Sequence, residues 1–315
     1  MAQPTNLYDT YDTTGIREDL VDVIYSISPE DTPILSAIPR TTAASTKHEW
    51  QLDALAAPAA NSVIEGDDVT IDAMVATTRA FNFTQIQDKA IALSGTQSAV
   101  NAAGRADEMA YQIAKKSKEL KKDMEFALIK GQVQAVGSAT AARALGSIPT
   151  WLATNGDAGT GGTLSTGSGT DLPNSGTDRD LTETILKTVI KEVYESGGDL
   201  DLLVVPPSVK QVISGFNANT TRFGPAESRT EYAAIDVYSS DFGDIKLVPN
   251  RVMATTSESL CLMLQSDMAA AAYLRHFQIS DLAKTGDSEK KQLLVEWTLE
   301  MRNEAAHGII LDINQ

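Results

Sequence analysis

The chain has 315 residues, 42% of them hydrophobic, enough to bury a core in one large domain or two modest ones. Acids outnumber bases 42 to 26, for a net charge of −16, which argues against tight binding of nucleic-acid phosphates because such binding depends on Lys and Arg displacing counterions. The single cysteine, Cys261, rules out an intrachain disulfide, and no run approaches the roughly 18 apolar residues of a membrane span.

Residues 1–14 are polar and rich in Thr and Asp, and read as an extended arm that a partner must order. They lack a basic region and an apolar core, so no signal peptide is expected, and the chain reads as one made and assembled in cytoplasm. From Ile16, apolar residues recur at Leu20, Val23, Ile24 and Ile27, a helical spacing. Ser28-Pro29-Glu30-Asp31 then reads as a helix start, with Ser28 as cap, Pro29 at the first helical position and Asp31 closing a capping box. Ile34, Leu35 and Ile38 give the following turn a face to bury.

Thr46 to Asp53 alternates, with Thr46, His48, Trp50 and Leu52 on one face. Thr78 to Gln87 alternates too, with Phe81 and Phe83 opposite Asn82 and Thr84. Trp50, Phe81 and Phe83 are the expected core residues of this pair. Between the two runs lies a polar, Ala- and Asp-rich stretch that includes Glu65, Gly66, Asp67 and Asp68. Two strands with a long polar tip make an extended hairpin, which is marginal in water alone and must lie on something else.

The longest helical signal runs from about Asn101 to Gln134, with Met109, Ile113, Leu120, Met124 and Leu128 on one stripe. Thirty-odd residues would form a rod of roughly 45–50 Å. Lys115, Lys116, Lys118, Lys121 and Lys122 lie elsewhere on the cylinder. With Glu108, Glu119, Asp123 and Glu125 nearby, they read as a solvated, salt-bridged face in preference to a nucleic-acid patch. Residues 155–176 form a Gly/Ser/Thr stretch. It lacks a Gly-Lys-Ser/Thr ending and a strand leading in, so a flexible loop is expected and not a phosphate cradle.

Leu181 to Glu195 reads as a helix, Leu200 to Val205 as a buried strand halted by Pro206-Pro207, and Val209 to Phe216 as a second helix. Ile235 to Tyr238 and Ile245 to Val248 read as paired strands around Phe242-Gly243-Asp244. Leu260 to Leu264 reads as another buried strand, with Cys261 as a small hydrophobe inside it. From Lys291 to Arg302, Leu293, Val295, Trp297, Leu299 and Met301 share one face. That face is expected to cover a core containing the long helix, with Trp297 at its centre, while the other meets solvent or a neighbour. Gly308 to Ile313 closes the chain with an apolar strand.

No catalytic constellation stands out. His48-Glu49 opens like a zinc-protease motif but lacks the second His. There is no Gly-x-Ser-x-Gly elbow, and Cys261 has no His in its neighbourhood of the sequence. His48, His276 and His307 make no metal-ligand spacing, so no catalytic residue, metal ligand or cofactor is assigned.

Three stretches carry a resemblance. They are GIREDLVDVIYSISPEDTPILSAIPRTTAASTKHEWQLDAL (Gly15–Leu55), DVYSSDFGDIKLVPNR (Asp236–Arg251) and AYLRHFQISDLAKTGDSEKKQLLVEWTLEMRNEAAHGII (Ala272–Ile310). The last contains Leu-Ala-Lys-Thr-Gly-Asp and a strand ending in Arg-Asn-Glu-x-Ala-His-Gly. They resemble, in order, the tailed-bacteriophage major capsid proteins of the Hong Kong 97-type fold, in particular a podovirus-like subgroup. The resemblance implies an α+β fold made of an N-terminal arm (1–40), an extended β-hairpin loop (41–95), a peripheral domain with a long spine helix (96–139 and 271–315) and an α/β axial domain (140–270).

It also implies a function in assembly. Subunits would form the hexamers and pentamers of an icosahedral head in the virion, around double-stranded DNA held only by non-specific proximity. Candidate assembly contacts are Leu20, Ile24, Glu65, Asp67 and Asp68. Partners would be other copies of the chain, a separate scaffolding protein, a portal and a cement protein, with no membrane. No long helical extension precedes the arm, so a built-in scaffolding segment is not expected. An acidic surface would suit a wall that contains DNA without sticking to it, although it also serves plain solubility. An encapsulin-like shell protein, or an α/β enzyme or ligand-binding protein using the Gly-rich loop, are the alternatives.

Overall fold

The computed structural model describes residues 31–68, 71–100, 107–216, 236–255 and 260–314. In chain order, α1 (Pro33–Ala37) and β1 (Arg40–Thr42) lead into the strands β2 (Lys47–Leu52) and β3 (Thr78–Phe83). Then come β4 (Gln85–Ser94), a short α2 (Gly95–Ala99) and α3 (Glu108–Ile129). The rest comprises β5 (Gly156–Asp157), α4 (Glu183–Glu195), β6 (Leu202–Val205), α5 (Pro207–Phe216), β7 (Val237–Ser240), β8 (Gly243–Pro249), β9 (Cys261–Leu264), β10 (Ala269–Asp281), β11 (Ser288–Met301) and β12 (Gly308–Ile310). They form a four-stranded sheet in the order β1-β10-β11-β4, a six-stranded sheet in the order β5-β12-β9-β6-β8-β7, and the two-stranded β2-β3 hairpin.

The six-stranded sheet is the wall between two cores. Its central strands β6, β9 and β12 carry unbroken apolar runs, as strands covered on both faces do. Leu202, Val204, Leu262, Leu264 and Ile309 face one core, which they share with α3 and with Trp297 and Leu299 of β11. Leu203, Val205, Cys261, Met263 and Ile310 face the other, against Leu186, Val189, Ile190 and Val193 of α4. Burial at Cys261 pushes its thiol pKa well up, as for an inert core residue. The parallel β6-β8 pair brackets α5 in sequence. Because β12 pairs with β9 and β5, residues 308–310 belong to the six-stranded sheet, and the sequence boundary at 271–315 does not follow the sheets.

The long helix is shorter than its periodicity suggests. α3 has 22 residues, roughly 33 Å at 1.5 Å per residue. Asp107 caps it by accepting from Met109 N and Ala110 N, and Lys130 leaves the helix with ψ 131. Residues 101–106, and the Leu20–Ile27 face with the Ser28-Pro29 cap, lie outside the described residues. The first described helix starts at Pro33 instead. Its exposed amide groups find a partner 90 residues away: Glu125 of α3 accepts from Ile34 N (3.0 Å) and Leu35 N (2.9 Å), and from the Asn250 side chain at 2.7 Å. Burial pushes the Glu125 carboxyl pKa up, and these three donors oppose that shift. One buried carboxylate thus ties the chain entering β1 to the long helix and to the end of β8.

The Gly/Ser/Thr stretch, expected as a flexible loop, is irregular but bonded throughout. Gly159 N donates to Asp312, Thr163 and Asn174 bridge each other, and the buried Ser165 hydroxyl donates to Leu152 O. Asn155, the first residue of the stretch, donates to Ala305 O, and just ahead of it Glu304 accepts from the amides of Ala153 and Thr154 and from the Thr154 hydroxyl. Its partners lie about 150 positions away, which is why local composition misreads it.

The junction after β11 is bonded as closely. Asn303 caps a short turn by accepting from Ala305 N. The wholly buried His307 accepts from Gln265 N at Nδ1 and donates from Nε2 to Met268 O. Gly308 packs where a Cβ would meet Val189 Cγ1 at 2.8 Å. Burial holds the His307 pKa down to about 4, against hydrogen bonding to Met268 O and the nearby acids Glu304 and Asp201, which raise it.

Two predictions follow from the packing. Trp297 is fully buried in the core shared by the two large sheets, so Trp297→Ala costs about 3–5 kcal/mol. Urea unfolding of the free subunit reads this, and a normally stable variant that only fails to assemble would place the face at an interface. The unfolded chain takes up a proton at His307 near pH 6.5 and the folded chain only near 4, so the stabilisation is complete above about 6.5 and is lost as pH falls towards 4. His307→Gln keeps one acceptor and one donor without titrating. Its stability in that window should fall less steeply than wild type, by up to about 1.4 kcal/mol per pH unit; equal slopes would exclude His307 as the source.

Candidate assembly surface

The β2-β3 hairpin is anchored on β11 largely by buried polar groups, with Trp50 and Ala80 packed at the margin of the core. Asn82 is fully buried. It donates to Leu299 O (2.8 Å) and Gly146 O (3.2 Å) and accepts from Gly146 N (2.8 Å) and Phe83 N (2.9 Å). Thr84 is also buried and donates to Glu296 Oε1 at 2.9 Å. Glu296 in turn takes Arg143 on Oε1 at 2.5 Å and Arg275 on Oε2 at 2.7 Å. A buried carboxylate is tolerable when it is paired and hydrogen-bonded in this way. His48 of β2 completes the anchor by meeting Glu300 at 3.0 Å, and this contact, with Arg302, holds the Glu300 carboxyl below its usual range.

This overturns the expected orientation of β3. Phe81 and Phe83 are half-buried. They lie edge to face at 5.7 Å, with Lys47 4.0 Å above the Phe81 ring. The inward positions go to Asn82 and Thr84, because their side chains find every partner they need there. Trp50 is likewise half-buried, at the margin of the core, with its ring 5.4 Å from Trp151. The second face of β11, expected at solvent or a neighbour, is covered in part by this hairpin: Thr298 donates to Phe83 O and is buried, as is Glu296.

Beyond the anchored base, the hairpin stops pairing at Leu52 and Thr78. Every described residue from Asp53 to Thr77 is exposed. That includes Leu55 and Met74, which are 100% and 99% exposed, and Val63, Ile64, Ile71 and Val75. Single exposed apolar residues are ordinary, but six large ones on one projecting segment mark a contact surface. Glu65, Asp67 and Asp68 sit exposed at a turn where Gly66 takes φ +84 and Asp67 N donates to Ile64 O. Leu20 and Ile24 lie outside the described residues. The six apolar loop residues were missed in the sequence because they follow no period.

A cleft of about 470 Å³ lies beside the Gly-rich segment. Among the described residues its lining includes Asp178 and Asp312 and no lysine or arginine, a charge unsuited to phosphate. Among the described residues, no helix is long and apolar enough to cross a membrane, and no three His, Cys, Asp or Glu side chains group as metal ligands.

Residues 4–314 match the family model of the SU10 major capsid protein. A major capsid protein of Escherichia phage Phieco32 is 28% identical over 348 residues, covering 98% of this chain and 97% of that protein. Among solved structures, the capsid asymmetric unit of cyanophage A-1(L) superposes with a TM-score of 0.69 at 14% identity, covering 99% of this chain and 100% of the other. The holo-SrpI encapsulin complex from Synechococcus elongatus PCC 7942 gives 0.60 at 9% identity, covering 95% and 93%. The fold is the Hong Kong 97-type α+β capsid fold, and the encapsulin superposes on it too. With its model matched along nearly the whole length, the chain belongs to the SU10 major capsid protein family.

Proposed function

We propose that the protein builds a phage head by docking its extended loop on neighbouring copies, forming hexamers and pentamers around double-stranded DNA. The observation that carries this reading is the projecting loop, whose described residues between 53 and 77 are all exposed, six of them large and apolar, on a base fixed by buried hydrogen bonds. A subunit that keeps such a surface open is built to cover it with another subunit. The rigid base sets the direction of the loop, and the loop supplies the contact.

In this reading the four-stranded sheet with α3 is the peripheral domain, and the six-stranded sheet with α4 and α5 is the axial domain that crowds the capsomer centre. The arm, residues 1–40, docks on adjacent subunits through Leu20 and Ile24, and the Glu125 clamp on α1 fixes the point from which it departs. Assembly takes place in the host cytoplasm with a separate scaffolding protein, a portal and a cement protein. The net charge of −16 lets the wall contain DNA without binding it tightly.

Deleting Asn61–Ala73 should leave the subunit folded, with an unchanged melting temperature, but reduce the yield of closed particles on a sizing gradient. Wild-type particle yield from the deletion would refute loop-driven assembly.

A further inference from the structure

We infer that the cleft beside the Gly-rich segment binds a primary alkylammonium group, carried by a diffusible polyamine or by a lysine of a neighbouring copy. This does not depend on loop docking. The cleft, about 470 Å³, has the size of a small-ligand site. Its walls come from Gly131 just after α3, the end of the Gly-rich segment, Leu260, and the residues that follow β12.

Asp312 is the group that points to a ligand. It is only 6% exposed, and it lines the cleft. Its Oδ2 accepts from Gly159 N at 2.9 Å, whereas Oδ1 takes no hydrogen bond from any described residue. A carboxylate buried this deeply is costly unless a cation pairs with it. No lysine or arginine is among the described lining residues. Arg179, whose backbone N donates to Asp312 O at 2.8 Å, gives its Nη2 to Asp157 instead. Glycine backbone holds the carboxylate in place: a Cβ at Gly162 would come within 2.7 Å of Asp312 Oδ2, and one at Gly159 within 2.9 Å of the Asp312 Cβ. The acceptor is therefore oriented before a ligand arrives, which lowers the ordering cost of binding.

The rest of the lining selects the class of cation. Asp178 adds an exposed carboxylate, and Asn174, whose Nδ2 donates to Thr163 Oγ1 at 3.2 Å, leaves its Oδ1 as an acceptor. An ammonium brings three N–H donors to such oxygens. Leu172, Leu260 and Leu311 line the same cleft and suit the methylene stem behind the charge. A divalent metal fits less well: calcium takes roughly six to eight oxygens, and no three described His, Cys, Asp or Glu side chains group as ligands. An anion would meet two acids and no base.

The test is calorimetric titration of the full chain, as free subunit, with spermidine at low salt. One saturable site per chain is expected. Asp312→Asn keeps the size and an acceptor for Gly159 N but loses the charge, and should weaken binding roughly tenfold, about the worth of one charge-assisted hydrogen bond. Asp178→Asn should weaken it by a smaller factor. Asp67→Asn, which removes one charge from the exposed loop, should leave it unchanged. No saturable site, or equal weakening by all three variants, would overturn the proposal, because the effect would then be diffuse attraction to an acidic chain. If Asp312→Asn melts early, Asp178→Asn decides, since its exposed position spares the fold; wild-type affinity there would overturn the proposal. Carbodiimide treatment of assembled particles, which joins a carboxylate to an amine in contact, separates the two sources. Peptides joining Asp178 or Asp312 to a lysine of another copy assign the site to that lysine. Their absence, with spermidine still bound by the particle, assigns it to the free amine. Particles that show neither would overturn the proposal.

Discussion

The second half of β11, from Val295 to Leu299, is buried on both faces by opposite chemistry, and the rest of the molecule is arranged to satisfy both. Trp297, Leu299 and Met301 enter the core shared with α3 and the six-stranded sheet. On the other face, Glu296 and Thr298 are buried too, and that burial is tolerable because Arg143, Arg275, Thr84 and the Phe83 carbonyl are in place. A buried carboxylate without those partners would cost several kcal/mol. The hairpin base is therefore part of the packed body, while the described residues of its tip are exposed and pack on no core. That division turns a structural strand into the mount for an assembly element.

The same logic holds at the chain's entry and exit. Glu125 fixes α1 to α3 through two amide donors and Asn250. His307 and Glu304 fix the turn that carries the chain from one sheet to the other. Each is a polar group whose partners come from distant sequence, so each ties layers together rather than stabilising a single element. A shell subunit needs such ties, because forces at its contacts must pass through the body without loosening it.

The strands with clean alternation were legible in the sequence. β11 and the β2-β3 pair read directly, and so did α4 and the apolar β6 and β9. Alternation gave the periodicity of β3 but not its inward face, since hydrophobicity alone favours Phe81 and Phe83 and says nothing of the partners waiting for Asn82. β10 was missed because Ala269–Ala272 has no contrast between faces, although it spans 13 residues. The bonding of the Gly-rich segment was missed because its partners Ala305 and Asp312 lie far along the chain. The acids at the loop tip were visible; the exposed apolar residues beside them make sense only once the loop is seen to project without cover.

The measurement that bears most directly on loop docking is a cryo-electron-microscopy map of particles assembled from the purified protein. The account predicts closed icosahedral shells of hexamers and pentamers, with residues 53–77 ordered against an adjacent subunit and Leu55 and Met74 covered. Small monodisperse oligomers, or shells in which that segment folds back on its own subunit, would contradict it.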